Sequence, residues 1–537
     1  MTRIIIDRTR LGRDLSLAAL IASGNLSVSN AILSRPGNPN INSLSVTHAI
    51  IGAQVIIYGN GFGTPRGTST VTFGGTAPGA YVSWGATQII VTVPVLIPGA
   101  ANVVITVGGA SSNASTFSVD FDASQYYNVV TAGLAHGDGV TDDRQHILDA
   151  VTAYKAAGKF GLYFPTGTYL LSTALTVPNN TVLIGPANAG SGPGTGSPPY
   201  TLQTQANMPW LKGPVIFGSY SNFADLKIGE NGTAVTHTAS TTTTNFTRCH
   251  FRGGSETLSI GHERDAYYLT FTNCEIERAC GASAGADTMS IYASYGGGRG
   301  YVIEDIVFDG CHLGVSNTTA TGSPGMMVEC WTAPYAASHL KNLTFRNCEL
   351  QPSNWHGLDF ACYLESGQCD GVLVEGCLFH GAGVPGAWLG TGSAPQQDWG
   401  YGIDLEYPKN VIIRNNHFHR CYNTAINASS LGQPASANWS ITNNTFDYDT
   451  AEQSIVTMPR AIIHHIGANA TITGNTFTCH TNIIADWAGC VELDGATTTG
   501  NIVTGNTFNL GTVYPAYAIR ERGSSGNTVT PNTINRS

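Results

Sequence analysis

Charged residues are scarce in this chain of 537 amino acids, where Asp, Glu, Lys and Arg together make up 11% of the sequence. Globular proteins carry about 25%. Because helices that face water rely on Glu, Lys and Arg at their exposed positions, this scarcity excludes a helix-rich protein. The charges sum to −10. An acidic chain without clustered Lys and Arg does not suit a phosphate backbone, so no nucleic-acid partner is predicted.

Long apolar runs and metal-binding cysteine patterns are also missing. No stretch of about 18 apolar residues occurs, so no membrane-spanning helix is predicted. All twelve cysteines follow residue 248 and none forms a CxxC pair, which predicts reduced thiols and no zinc site. The histidine pairs His417/His419 and His464/His465 have no third ligand at ordered spacing. The sequence therefore predicts neither a metal nor a cofactor.

Glycine is abundant, with 64 residues beside many Ser, Thr and Asn. These short polar residues favour strands and turns, which predicts an all-β protein. Residues 1–38 are polar and contain most of the turn-rich segment SRPGNPN (34–40), which indicates an attachment or linker segment. Their apolar stretch from Leu15 to Ala22 follows Asp7 and Asp14, unlike the positive start of a secretory signal. The sequence leaves open whether a signal peptide is included.

Short alternating segments separated by regular turns fill residues 39–120. They predict an immunoglobulin-like β-sandwich of about seven strands. The phrase GAQVIIYGNGFG (52–63), followed by VTFGG, closely resembles the signature of the IPT/TIG immunoglobulin-like domain. Because such domains usually act as spacers or contact modules, the resemblance implies no catalytic role for this segment.

Residues 135–185 combine a Gly/Asp turn, a short amphipathic helix with Thr141 or Asp142 as its N-cap, and strands. This order resembles the start of the right-handed parallel β-helix in the pectate-lyase and polygalacturonase superfamily, a fold also used by phage tailspikes. In those proteins the helix caps the first coil. Asp138, Asp142 and Asp143 are therefore interpreted as turn and cap residues rather than catalytic acids.

A phrase of alternating apolar residues around a turn recurs ten times after residue 245, with Cys or Asn at its centre. The spacing of 25 to 39 residues suits one solenoid coil with loops. Residues 121–537 are therefore predicted to form a right-handed parallel β-helix, with a column of thiols followed by a ladder of amides. The central positions are 249, 274, 311, 348 and 377 for Cys, and 416, 444, 475, 506 and 532 for Asn.

Strand parity in a second phrase of each coil identifies candidate catalytic acids. In MMVECWT, HGLDFACY and YGIDLEYP the apolar residues alternate with Glu329, Asp359 and Asp404, which must then face outward. Glu406 lies on the outward side of the third phrase. Stacked carboxylates about 4.8 Å apart crowd one another, which raises at least one pKa as a general acid requires. The sequence predicts an exposed acid column with Glu329, Asp359, Asp404 and Glu406 as catalytic residues.

Aromatic residues cluster around these acids, and their faces suit stacking on sugar rings. The same strand parity extends the column to Asn427, then to His464 or His465, and then to Glu492 and Asp494. The residues predicted to bind substrate are Trp331, Trp355, His356, Tyr363, Trp388, Trp399, Tyr407 and Asn427.

The superfamily resemblance implies a polysaccharide partner and a depolymerase. Acid-pair hydrolysis is favoured because the column is acidic, with inversion suggested by acids two coils apart, as in Glu329 and Asp404. A polysaccharide lyase or uronate C5-epimerase stays open through Tyr363, Tyr407, His464 and Arg414, and a non-catalytic glycan-binding adhesin or spike is the third alternative. All imply an extracellular location, as a secreted bacterial enzyme or as part of a phage virion tail, where a tailspike would be a homotrimer.

Overall fold

The computed structural model divides the chain into two compact units, residues 1–122 and 123–537. None of the helices that it describes is long and apolar enough to cross a membrane. The described residues are 38–186, 208–230, 235–238, 240–253, 256–278, 288–293, 300–315, 328–332, 338–350, 357–362, 369–380, 401–419, 421, 424–428, 438–447, 461–479, 489–511 and 517–536. Residues 1–37, with the predicted attachment segment, lie outside these ranges.

The first unit is a β-sandwich with its own apolar core, which includes Val55, Phe73 and Val91. Ten strands form three small sheets, against about seven predicted, because four of the strands are two-residue pieces that the alternation of side chains cannot reveal. The strands are Asn40–Leu44, His48–Ala49, Gln54–Asn60, Thr70–Phe73, Tyr81–Trp84, Gln88–Thr92, Gly99–Ala100, Val103–Val107, Ala110–Ser111 and Ser118–Val119.

The second unit is a parallel β-helix, as predicted. Within the described residues its strands form three long sheets, and every pairing between named strands in those sheets is parallel. Each coil contributes a strand to sheet 1, then to sheet 2, then to sheet 3, and parallel crossovers of this kind are right-handed.

Sheet 1 contains Tyr127–Asn128, Leu162–Tyr163, Val182–Ile184, Asn222–Ala224, Ser240–Thr247, Asp265–Thr272, Val302–Asp309, His339–Arg346, Cys369–Glu375, Lys409–Arg414, Trp439–Thr442, Thr471–Thr473 and Ile502–Thr504. Sheet 2 contains Asp138–Asp142, Thr168–Leu170, Trp210–Lys212, Lys227–Ile228, His250–Gly253, Glu275–Arg278, His312–Val315, Glu349–Leu350, Leu378–His380, His417–His419, Thr445–Asp447, Thr476–Cys479, Thr507–Leu510 and Thr533–Arg536. Sheet 3 contains Leu175–Thr176, Val215–Phe217, Val235–His237, Leu258–Gly261, Met289–Tyr292, Val328–Thr332, Leu358–Cys362, Tyr401–Glu406, Thr424–Ala428, Ile463–His465, Val491–Asp494 and Ile519–Arg522.

The core of the solenoid consists of identical side chains stacked from coil to coil. Phe223, Phe246, Phe271, Phe308 and Phe345 form a continuous stack with ring centroids 4.8, 4.8, 4.7 and 5.1 Å apart. In-register parallel strands place equivalent residues at this spacing, so the rings lie face to face. Alternate side chains of each strand therefore form the rows that fill the core, and the side chains between them form the rows that face outward.

The turns from sheet 1 to sheet 2 carry the predicted thiol column and amide ladder. The five column cysteines are buried and free, and the ladder begins where the Cys377 backbone N–H donates to Asn416 Oδ1 at 2.8 Å. Asn444 Nδ2 donates to Asn475 Oδ1 at 3.0 Å, and Asn475 Nδ2 to Asn506 Oδ1 at 3.0 Å. Both predictions are confirmed, and the ladder supplies partners to buried turn backbone.

The predicted helix spans Arg144–Ala156, but its N-cap is Asp143 rather than Thr141 or Asp142. Asp142 ends a strand of sheet 2 and accepts the Ser172 hydroxyl at 2.5 Å. Asp143 is buried and accepts the backbone N–H groups of His136 at 2.6 Å and Gly137 at 2.9 Å. These aspartates hold the turn before the helix, which is the structural role expected of them.

Candidate functional site

The predicted acids lie on neighbouring strands of sheet 3, in register. Glu329 pairs with Asp359, and Asp359 pairs with Asp404. The alternate residues Phe360 and Leu405 are completely buried in the core, so Asp359 and Asp404 face away from it. The side chain of Glu329 lies outside the described residues. We call Glu329, Asp359 and Asp404 the acid column.

The column continues along the same outward row for four more coils. Asp404 pairs with Asn427, Asn427 with His464, His464 with Glu492, and Glu492 with Arg520. His465 points to the opposite side and is fully buried. Because His464 and His465 lie on opposite faces of one strand, they cannot bind one metal together.

The expectation that the acid column is exposed is wrong for Asp359 and Asp404. Asp359 is 6% exposed and Asp404 is 4% exposed. Asn427 and His464 are buried in the same row, at 1% and 6%. Side chains in register about 4.8 Å apart cover one another above and below, which removes most of the surface that an isolated outward residue would show. These acids therefore act in a partly dehydrated row.

Hydrogen bonds in this row orient the Asp404 carboxyl. Asn427 Nδ2 donates to Asp404 Oδ1 at 2.9 Å. The Asn427 oxygen must then accept, and His464 Nδ1 lies 3.0 Å from it, so Nδ1 of His464 carries the proton. His464 Nε2 faces Asp494, with 3.6 Å between Nε2 and Oδ2. A donated N–H bond favours the ionised form of the Asp404 carboxylate.

Glu406 lies two residues after Asp404 on the same outward side. It is partly exposed, and burial raises the pKa of its carboxyl. Its Oε2 atom is buried without a hydrogen-bond partner among the described residues. The cause of the shift is dehydration rather than the crowding of carboxylates that the sequence suggested. Tyr407 follows with a left-handed φ of 65° and packs against the core, so it turns the chain out of the strand.

Several predicted substrate-binding residues lie outside the described residues: Trp355, His356, Tyr363, Trp388 and Trp399. Trp331 belongs to a described strand, where it pairs with Tyr292 on one side and Ala361 on the other. The HFH doublet at 417–419 lies in sheet 2, not beside the acid column.

The sequence reasoning missed a polar group next to the acid column. Ser290 pairs with Glu329 in register, and its hydroxyl donates to Glu256 and lies 2.7 Å from His262 Nε2. The His262 ring stacks on Tyr292 with centroids 4.4 Å apart. The parity of MSIY places Ser290 and Tyr292 outward, so the pattern that identified the acids contained this signal too. Glu256 and His262 lie in turns, where parity gives no signal.

Two family models match the chain. The model described as rhamnogalacturonase A/epimerase, pectate lyase-like, matches residues 126–362, and the IPT/TIG domain model matches residues 39–119. Asp404, Glu406 and Asn427 lie beyond the first match, so their roles depend on the geometry described above.

A curated relative, the uncharacterised protein YclG of Bacillus subtilis, is 31% identical over 123 residues, which is 22% of this chain and 19% of the relative. The match thus spans about a fifth of that relative's length. Among solved structures, the A-module of the mannuronan C-5 epimerase AlgE6 of Azotobacter vinelandii is 15% identical, covering 76% of this chain and 99% of that one, with a TM-score of 0.45. The catalytic unit of a GH87 α-1,3-glucanase of Streptomyces thermodiastaticus is 14% identical, covering 90% and 88%, with a TM-score of 0.44.

The two family matches fall on the two compact units of the structure, and the parallel sheets agree with the second match. Residues 39–119 are an IPT/TIG domain, and the chain after it is a right-handed parallel β-helix whose residues 126–362 are of the pectate lyase-like kind.

Proposed function

We propose that this protein is a polysaccharide depolymerase, specifically a glycoside hydrolase with its acid and base on the outer face of sheet 3. The observation that supports this most strongly is the contrast between Asp404 and Glu406. Asp404 accepts the Asn427 amide, which favours its ionised form. Glu406 has a raised pKa because it is dehydrated. Acid–base hydrolysis of a glycosidic bond requires one protonated and one ionised carboxyl, and these two environments favour that division.

In this proposal Glu406 protonates the leaving oxygen and Asp404 activates water, with Asp359 beside it. Residues two apart on one strand face are roughly 6.6 Å apart. Inverting glycosidases separate their carboxyls by about 6.5–9.5 Å and retaining ones by about 5–5.5 Å. The Asp404–Glu406 spacing supports inversion, whereas Asp359 and Asp404 alone, about 4.8 Å apart, would suit retention.

Of the residues named for β-elimination or epimerisation, the three that the structure describes are less suitably placed. Arg414 lies in sheet 1, where its Nε donates to Glu375 Oε1 at 2.7 Å. Tyr407 packs against the core, and His464 uses Nδ1 to hold Asn427. A lyase needs a base together with a group that neutralises a uronate.

The proposed polysaccharide substrate implies that the protein acts outside the cell.

The first experiment incubates the protein with a panel of bacterial capsular polysaccharides, exopolysaccharides, pectin and alginate. We expect new reducing ends without the ultraviolet absorbance of unsaturated uronates. NMR should show that the first product formed has the opposite anomeric configuration to the bond that was cleaved. Reducing ends together with this absorbance would show that the protein is a lyase and not a hydrolase. Epimerised uronate in an uncut chain would show that the protein is an epimerase. Binding without any product would show that it is an adhesin.

Asp404→Asn and Glu406→Gln should each lower kcat by about 10²–10⁴-fold, the usual contribution of general acid–base catalysis. Glu406→Gln should also remove the alkaline limb of the pH profile of kcat/KM, because that limb reports the acid. Asp370→Asn is the matched control, since Asp370 also accepts an asparagine amide, from Asn410 at 2.6 Å, but lies in sheet 1. Activity near wild type in both site variants would refute the assignment.

A further inference from the structure

A row of titratable residues lies buried on the outer face of sheet 2, away from the acid column. Its members pair in register from strand to strand. The alternate residues Phe251 and Ile276 fill the core, so the row faces outward. Its members are Lys227, His250, Glu275, His312 and Glu349, each at most 8% exposed.

Three side chains in and beside this row converge. His250 Nε2 lies 2.5 Å from Glu277 Oε2 and 4.0 Å from Glu275 Oε1. One nitrogen and two carboxylate oxygens therefore lie within 4.8 Å of one another. His250 is completely buried, and Glu275 and Glu277 are 3% and 7% exposed. The Nδ1 atom of His250 has no hydrogen-bond partner among the described residues, so Nε2 is the nitrogen that the fold positions.

The electrostatics of this group favour a divalent cation. Removing two carboxylates from water is costly unless their charge is compensated. Protonated His250 would supply one positive charge against two negative ones. Lys227, the next residue in the row, interacts electrostatically with both carboxylates but holds its Nζ over the Trp210 ring, 4.3 Å from the centroid. A divalent ion bound to neutral imidazole and two carboxylates has no net charge, which is the arrangement that buried sites stabilise best.

The geometry and donor set indicate the class of ion. Tetrahedral bonds of 2.0–2.2 Å place neighbouring ligand atoms about 3.4 Å apart. The distances of 2.5 and 4.0 Å from His250 Nε2 to the two carboxylates lie on either side of that value. Side-chain adjustments of about 1 Å would therefore bring all three donors to one ion. Imidazole with carboxylate suits zinc and similar transition metals, whereas Ca²⁺ and Mg²⁺ prefer oxygen donors alone.

We propose that His250, Glu275 and Glu277 bind a divalent transition-metal ion of the zinc class, which links the strand that begins at His250 to the strand that begins at Glu275. This site is independent of the hydrolase proposal, because its residues lie in sheet 2 and the acid column lies in sheet 3. Its role is to stabilise neighbouring coils by binding only the folded chain.

The test uses the full chain after dialysis against a chelator. Zn²⁺ is titrated calorimetrically, and Co²⁺ is added as a spectroscopic substitute. One Zn²⁺ per chain, a rise in melting temperature and a visible absorption band of tetrahedral Co²⁺ are expected. Glu277→Gln and His250→Asn should each weaken Zn²⁺ binding at least tenfold. Glu277→Gln preserves side-chain shape and so separates loss of a ligand from loss of the fold, which far-UV circular dichroism checks.

Two control variants make the result specific. His339→Asn removes a His–Glu pair of similar chemistry, since His339 Nε2 lies 2.8 Å from Glu304 Oε1 on the surface of sheet 1. His146→Asn disrupts the other compact donor group, formed with His136 and Asp143. Both controls should bind Zn²⁺ as wild type does. Absence of binding in the wild type, loss of binding in His146→Asn alone, or a preference for Ca²⁺ without a Co²⁺ band would each overturn the proposal.

Discussion

His237 shows how a single side chain in the solenoid fixes its own protonation state. Its Nδ1 donates to the Thr238 carbonyl at 2.8 Å, and its Nε2 accepts the Gly261 backbone N–H at 2.8 Å. The ring is completely buried. Burial lowers the pKa of His237 to about 4, and protonation of Nε2 would abolish the bond from Gly261. The folded chain therefore requires neutral His237.

This predicts a pH-dependent stability. Above pH 6.5, the ordinary pKa, His237 is neutral in both the folded and the unfolded chain. As the pH falls from 6.5 towards about 4, the unfolded chain gains a proton that the folded chain does not take up. The free energy of unfolding should fall by an amount on the order of 3 kcal/mol over that range.

Urea titrations from pH 7.5 to 4 measure this term by comparing wild type with His237→Gln, whose amide can donate and accept but does not titrate. The variant should lose less stability on acidification than wild type. His339→Gln, at a half-exposed histidine on sheet 1, should behave as wild type does. An unchanged pH dependence in His237→Gln would contradict the assigned tautomer.

At the scale of the element, the turns from sheet 1 to sheet 2 share one backbone conformation. The residue before ladder positions 416, 444, 475 and 506 adopts a left-handed φ, as in Asn443 at 56°, Gly474 at 68° and Gly505 at 66°. Gly and Asn adopt this conformation at low cost. Arg248 holds the same conformation at 52° and is fixed by two hydrogen bonds to the Asp225 carboxylate, at 2.8 Å each.

The amide ladder should stabilise these turns more than the thiol column does. Asn475 accepts the Asn444 backbone N–H at 2.9 Å and donates to the Ile441 carbonyl at 2.9 Å, all in the interior. Asn475→Ala leaves both backbone groups buried without partners and should cost about 2–4 kcal/mol. Cys377→Ala, the matched change, loses three weak sulfur contacts, to the Cys348 N–H at 3.4 Å and to the carbonyls of Phe345 and Glu375 at 3.4 and 3.5 Å, and should cost about 1 kcal/mol.

Chemical denaturation of the two variants beside wild type gives the comparison. Equal losses would show that the ladder position serves packing alone, and that the amide bonds add nothing to it.

At the scale of the whole molecule, the two units have separate cores. The apolar cluster of the solenoid runs from Val129 to Ala518 and includes none of the described residues of the first unit. The sandwich buries its own residues, such as Ile57 and Phe117. Each unit should therefore fold alone.

Residues 123–537 expressed alone are expected to keep the melting temperature and any polysaccharide-cleaving activity of the full chain. Residues 38–122 are expected to give the dispersed NMR spectrum of a folded β-sandwich. Calorimetry of both pieces and of the full chain is the measurement. A marked drop in the melting temperature of residues 123–537 would show that the solenoid depends on the first unit.

The extent to which the sequence predicted this molecule follows from its periodicity. Strand parity and repeat spacing placed Glu329, Asp359 and Asp404 in one row, because both are properties of the backbone. The burial of Asp359 and Asp404 could not be predicted, since it depends on neighbouring coils covering them. The N-cap was misplaced by one residue because Asp142 bonds to Ser172, which lies thirty positions away. The row with His250 and Glu275 was not predicted, because these residues directly follow Cys249 and Cys274 in the repeated phrase, whose pattern indicates a buried turn.

The in-register stacking of coils also determines how the solenoid responds to force. Its interstrand hydrogen bonds run along the axis, in three sheets side by side. Tension along the axis therefore breaks the hydrogen bonds between one coil and the next before it reaches the following pair. Coils should separate from an end in small, successive extensions rather than all at once. A pull across the axis must instead shear many bonds at once. The solenoid should accordingly be softer along its axis than across it.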